Sequence, residues 1–154
     1  MSLGDRASSL AELHERMYLP MVRLATLLTD SEAVAEDVVQ DCFARLYPRF
    51  DRVTDPVPYL RRAVVNACRS WGRRHRLERA YLARQGRPAT VDLGAEELVD
   101  ALGRLPHRQR AAVVLRFYED LSSEEIASVL GCPVGTAKAL VHRGVARLRE
   151  VVER

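Results

Sequence analysis

The densest chemistry in this sequence is a run of cationic and amide donors. In PYLRRAVVNACRSWGRR (58–74), Arg62, Asn66, Arg69 and Arg73 recur at i, i+4, i+7 and i+11, with Arg74 adjoining, so a helix would set them along one side. Guanidinium and amide donors spaced in that way suit the successive phosphates of a nucleic-acid strand. A second constellation has the opposite sign. Glu36, Asp37, Gln40 and Asp41 share a face of a helical stretch at 31–47, a surface that would attract a basic partner and repel DNA. A third set, Thr136, Lys138, His142 and Arg143, follows Gly131 on a last helical segment. Thr136 and Lys138 fall in the first turns, where a helix lying in a major groove meets base edges and phosphates.

Other chemistry is missing its partners. His14, His75, His107 and His142 lie in four different segments, with no nucleophile or ligand at a useful interval, so neither a catalytic constellation nor a metal or cofactor site is expected. Cys42, Cys68 and Cys132 are odd in number, far apart and set among apolar neighbours, which predicts buried, reduced thiols. No apolar run approaches the roughly 20 residues of a membrane span, and there is no basic-then-apolar leader, so the expectation is a soluble cytoplasmic protein with no direct membrane insertion.

The elements that must position these groups follow from hydrophobic period. With 154 residues, the chain is long enough for two small domains, and apolar residues recur at helical spacing almost throughout, predicting an all-α fold. Helices are expected at 9–18 and 20–29, separated by Pro20, and at 31–47 behind the Thr29-Asp30-Ser31 cap. Pro48, Pro56 and Pro58 predict an extended loop over 48–58 that carries Phe50, followed by a helix at 58–76 with Leu60, Val64 and Trp71 on its apolar side. Residues 77–94 lose the period and read as a flexible linker. Four helices then follow, at 95–102, 106–118, 122–130 and 134–152.

Charge divides along the same lines. The net +3 of the whole chain conceals a segment 58–87 with nine basic residues against one acidic, beside residues 1–57 with six against ten. Basic side chains interleaved with aromatics point to nucleic acid, while the acidic block needs another partner. The stretch LSSEEIASVLGCPVGTAKALVHRGVARLRE (121–150) has a capped short helix, Gly131 where a left-handed turn is needed, and a second helix whose Ala137, Val141, Gly144 and Leu148 would face a core. That is the layout of a helix-turn-helix. An ordinary helical hairpin with a solvated basic face would read the same from this segment alone.

Three blocks together carry a resemblance. AEDVVQDCFARLY (35–47), PYLRRAVVNACRSWGRR (58–74) and LGRLPHRQRAAVVLRFYEDLSSEEIASVLGCPVGTAKALVHRGVARLRE (102–150) resemble regions 2.2, 2.3–2.4 and 4 of extracytoplasmic-function (ECF) sigma factors, especially actinobacterial ones. The resemblance implies two small helical domains, a region 2 bundle over 1–76 and a region 4 helix-turn-helix over 95–154, joined by the 77–94 linker. It implies a non-enzymatic protein, nucleoid-associated in holoenzyme, that lends promoter recognition to core RNA polymerase. Glu36, Asp37, Gln40 and Asp41 would then dock on the clamp coiled coil of the largest subunit, with region 4 near the flap. Arg62, Asn66, Arg69, Arg73 and Arg74 would hold the minus-ten strand, with Phe50 or Asn66 reading an extruded base. Thr136, Lys138, His142 and Arg143 would meet the minus-35 element, and an anti-sigma factor is a possible partner. Trp71 falls on the apolar side, which predicts packing for it rather than base stacking. Where many relatives have Ser and Arg, this chain has Ala139 and Leu140, which predicts weaker direct reading of minus-35 bases. A free-standing helix-turn-helix regulator is the other reading of the same motif.

Overall fold

The computed structural model describes residues 3–77, 81 and 96–152. Among them there is no strand. Among the described residues the main helices form two groups: α1 (Leu3–Thr29), α2 (Glu32–Leu46) and α3 (Pro56–Arg74), then α4 (Glu96–Gly103), α5 (His107–Phe117), α6 (Ser123–Leu130) and α7 (Val134–Val152). The linker expected over 77–94 lies outside the described residues, apart from Leu77 and Tyr81.

Where two helices were expected before residue 30 there is one, and Pro20 sits inside it. A proline in a helix interior loses a hydrogen bond and crowds the preceding turn, at a cost of about 3 kcal/mol. Opposing it is a stripe of Leu13, Met21, Leu24 and Leu28, all buried, that runs through the proline at helical spacing and packs on α2 and α3. Each such side chain contributes roughly 1.5–3 kcal/mol of burial, so the stripe outweighs the proline and the helix continues. It stops at Asp30, whose φ of 63° is left-handed and whose amide closes the last turn on Thr26 O at 2.9 Å.

Ser31 caps α2 by accepting from Val34 N at 3.2 Å. The stretch expected to be wholly extended after α2 instead begins with a 3-10 turn over Tyr47–Arg52, and α3 starts at Pro56 rather than Pro58. Both prolines sit in the first turn of α3, where no intrahelical N–H partner is needed, so they start the helix instead of delaying it.

In the second group, Ser122 and Glu125 form a reciprocal capping box, Ser122 N donating to Glu125 Oε1 at 3.0 Å and Glu125 N donating to Ser122 Oγ at 3.1 Å. Gly131 has φ 65°, the left-handed turn from α6 to α7. Helix α7 packs on α4, α5 and α6. The two groups also pack on each other, α1 against α4 and α5, and α3 against α6. One connected cluster of buried apolar side chains therefore runs from Leu24, Val39 and Val64 through to Leu102, Leu115 and Ile126.

Candidate nucleic-acid interface

Helix α3 keeps its apolar side, with Leu60, Val64, Val65 and Cys68 buried, against α1 and α2. On the other side Arg62, Asn66, Arg73 and Arg74 are exposed and Arg69 is half-buried, so the donors expected from the spacing do share the open side of one helix. Trp71 is buried and stacks on His75 with ring centroids 5.2 Å apart, which leaves its face occupied. The neighbouring Arg61 turns away from this row and pairs with Glu119, an interaction the spacing alone did not suggest.

The acidic row on α2 is equally open, with Glu36, Asp37, Gln40 and Asp41 all exposed. Asp41 pairs with Arg45 at 3.0 Å and Gln40 Nε2 donates to Tyr18 Oη at 3.3 Å, so two of the four are already oriented by neighbours. The two rows are not separate surfaces. A cavity of about 700 Å³ lies between the helices, lined by Asp37, Asp41 and Arg45 of α2 and by Asn66, Ser70 and Arg74 of α3, among others. Carboxylates on the α2 wall, and arginine, amide and hydroxyl groups around the rest, suit a small polar ring better than a simple phosphate track. Phe50 is half-buried against the core and is not among the residues lining this cavity, so the structure groups Asn66, and not Phe50, with it.

On α7, Ala137 and Gly144 are buried, Val141 is half-buried and Leu148 is at the margin of the core, while Lys138, His142 and Arg143 are exposed and Thr136 is half-buried. Leu140 is only 8% exposed. It is therefore part of the core, and an apolar residue there removes no reader from the exposed face. Of the two positions singled out from the sequence, Ala139 alone is partly open.

The thiols follow burial. Desolvation is the main cause that pushes Cys42 up to about 11, with Asp41 adding to it, and complete burial raises Cys68 further. Cys132 is half-buried and free, less enclosed than expected. Among the described residues no group of three His, Cys, Asp or Glu side chains could hold a metal ion, and no helix is long and apolar enough to cross a membrane.

Four residues outside all three expected sets join the two groups of helices. Arg110, fully buried on α5, donates from Nη2 to Asp30 Oδ1 at 2.8 Å and from Nη1 to Asp30 Oδ2 at 3.2 Å. Arg61 Nη2 lies 3.6 Å from Glu119 Oε2, both side chains largely enclosed. Burial raises the Glu119 carboxyl above its ordinary range while Arg61 pulls it down. The sequence held one signal for the first pair: Arg110 precedes the buried run Ala111–Leu115, an unusual place for a charge without a partner.

A three-helix bundle with facing acidic and basic rows, packed on a second unit that ends in a helix-turn-helix, defines a two-region DNA-recognition protein. Residues 13–78 match the family described as Sigma-70 region 2, and residues 95–148 match Sigma-70, region 4. The chain is 37% identical over 142 residues to the RNA polymerase sigma-E factor of Streptomyces avermitilis, covering 86% of this chain and 79% of that one. It is 33% identical over 160 residues to the ECF RNA polymerase sigma factor SigM of Mycobacterium tuberculosis, covering 97% and 79% respectively. Its fold is similar to that of the sigma factor RpoE solved in complex with the anti-sigma factor NepR from Bartonella quintana, with a TM-score of 0.71 and 24% identity over 92% of this chain and 97% of that one. The chain belongs to the sigma-70 family as an ECF sigma factor of the actinobacterial type, and it directs transcription as a sigma factor.

Proposed function

We propose that the chain binds core RNA polymerase through Glu36, Asp37, Gln40 and Asp41 of α2, docking on the clamp coiled coil of the largest subunit, with region 4 at the flap. The observation that carries this reading is the pair of rows on adjacent helices, acidic on α2 and basic on α3, both exposed and meeting at one cavity. A free DNA-binding protein gains nothing from an acidic face beside its basic one, because that face repels the duplex. A protein that must hold an enzyme and a strand at once needs both.

Within that reading, residues 1–76 act as region 2, 77–94 as the linker and 95–154 as region 4. Arg62, Asn66, Arg69, Arg73 and Arg74 hold the minus-ten strand, and Asn66 at the cavity wall is better placed than Phe50 to read an extruded base. Thr136, Lys138, His142 and Arg143 meet the minus-35 duplex. The polymerase supplies all the chemistry and the chain none, acting in the cytoplasm and on the nucleoid within holoenzyme. The Bartonella complex supports an anti-sigma partner as a further part of this proposal. The free-standing regulator is the less favoured reading, since it leaves the acidic row of α2 without a role.

The test is retention of purified core polymerase on the immobilised chain without DNA, for wild type and for Asp37→Lys. Retention by wild type that falls at least tenfold in the variant is expected. Tight, polymerase-independent binding to duplex, with no core retained, would support the regulator instead.

A further inference from the structure

We infer that Arg6, in the first turn of α1, is a positioning residue for strand reading: it fixes the 3-10 turn over Tyr47–Arg52 and, through that turn, one wall of the cavity between α2 and α3. The inference rests on the proposal that this cavity takes an extruded base of the minus-ten strand, and it names a residue remote from the cavity that sets how selectively the base is read.

The turn has little of its own to hold it. None of its six residues is buried, Phe50 alone is half-buried, and Tyr47, Pro48, Arg49, Asp51 and Arg52 are exposed. Apolar packing therefore contributes little, and the turn closes on a long hydrogen bond, Val53 N to Phe50 O at 3.4 Å. Yet Pro48 and Arg49 line the cavity together with Asn66, so any movement of the turn reshapes the site.

Arg6 grips the turn on both sides of those two residues. Its Nη2 donates to Tyr47 O, its Nε lies 3.4 Å from Asp51 Oδ1, and its guanidinium carbon stands 5.1 Å from the centroid of the Tyr47 ring. Tyr47 precedes the segment Pro48–Phe50 and Asp51 follows it. One planar group therefore spans the segment with a directional bond, a charge contact and a ring contact. The carbonyl it meets is also that of the α2 cap residue, where a cation suits the negative end of the helix.

An ordinary surface ion pair would fix nothing, because two long side chains in water stay free to part. Arg6 differs in its enclosure: its side chain keeps 21% of its surface exposed, against 54% for Asp51. Its Nε is buried without a hydrogen-bond acceptor among the described residues, so the Asp51 contact works through charge and the Tyr47 carbonyl supplies the direction. Position within α1 points the same way. A cation is unfavourable near the positive end of a helix, where the neighbouring Asp5 is the residue that suits it. Arg6 thus stands against the preference of its own helix, and what it holds lies in the turn. It does not line the cavity, so it acts on a bound base only through Pro48 and Arg49.

Selection from random single strands separates positioning of the site from simple attraction of the strand. Holoenzyme assembled from core polymerase and the full chain is equilibrated with a pool of random single-stranded DNA roughly 12 nucleotides long, and the retained strands are sequenced. Wild type should enrich a short motif. Arg6→Ala should flatten the preference at the most selective position by about threefold or more, while binding of the whole pool changes by less than about twofold. Arg73→Ala, which removes a phosphate donor and leaves the turn alone, should do the reverse. Asp51→Asn leaves α1 intact and should flatten the same position, and combining it with Arg6→Ala should add little, as partners in one contact require. If Arg6→Ala loses helicity, Asp51→Asn carries the test. Folded variants that select the wild-type motif with undiminished preference would overturn the inference alone. A wild-type holoenzyme that enriches no motif would overturn it together with the strand-reading proposal on which it rests.

Discussion

Gly144 on α7 lies so close to Val113 on α5 that a methyl group built on it would fall inside the Val113 Cγ2 shell and meet Gln109 O at 3.2 Å. This close approach is what lets the last helix of region 4 seat against α5 and present Lys138, His142 and Arg143 outward together.

Gly144→Ala sets two effects against each other. Alanine gains up to about 1 kcal/mol in helix propensity, whereas overpacking against a buried valine and a backbone carbonyl costs about 1–3 kcal/mol. Since the carbonyl cannot rotate away, the clash should win. Thermal unfolding should show a Tm lowered by several degrees, with roughly 2–4 °C for each kcal/mol in a chain of this size. A Tm equal to or above wild type would show that α5 and α7 are free to separate.

The capping box makes the start of α6 sensitive to acid. The backbone and hydroxyl of Ser122 hold the Glu125 carboxyl below its ordinary pKa of 4.5. Because the folded value is the lower one, the stabilisation is complete above about pH 4.5 and is lost as pH falls through the folded value. Glu125→Gln should remove that part of the pH dependence of urea unfolding, and Ser122→Ala should cost about 1 kcal/mol at neutral pH. Parallel pH profiles for wild type and Glu125→Gln would refute the assignment.

Thiol reactivity should follow enclosure. With a pKa pushed up to about 11, Cys42 is ionised to only about one part in a thousand at pH 8, and Cys68 is more deeply enclosed still. Mass spectrometry after brief alkylation of the native protein should find Cys132 modified first, with Cys42 and Cys68 reacting only once the protein is unfolded. Early modification of Cys42 would mean that the α2–α3 packing opens readily.

Arg73→Ala tests whether the α3 row holds phosphate. Binding of single-stranded minus-ten DNA by holoenzyme should weaken for every sequence, and the slope of log K against log salt should flatten by about 0.7 for the lost contact. An unaltered slope would leave Arg73 as a solvated charge.

Much of this was legible because helix period and capping are local. Ser31, Ser122, Glu125 and Gly131 announce helix ends within four residues of sequence, and the α3 donor row needs only a 3.6-residue repeat. What escaped depended on distant packing. Pro20 reads as a break until the buried stripe on both sides of it is seen against α2 and α3. Leu140 looks like a missing reader until its burial against the rest of region 4 is known. Asp30 resembles a plain helix-capping residue, and its partner lies 80 positions away, beyond any periodic pattern. The shared cavity was equally hidden, because it arises from how α2 and α3 face each other and not from either helix alone.

The central claim is that this chain gives core RNA polymerase a promoter it cannot find unaided. In vitro transcription by core enzyme on fragmented genomic DNA, with and without the chain and with start sites mapped, tests it most directly. The account predicts new discrete starts that share two upstream elements, lost with Asp37→Lys and weakened with Arg73→Ala. Core polymerase that binds the chain yet initiates at no new site would contradict it.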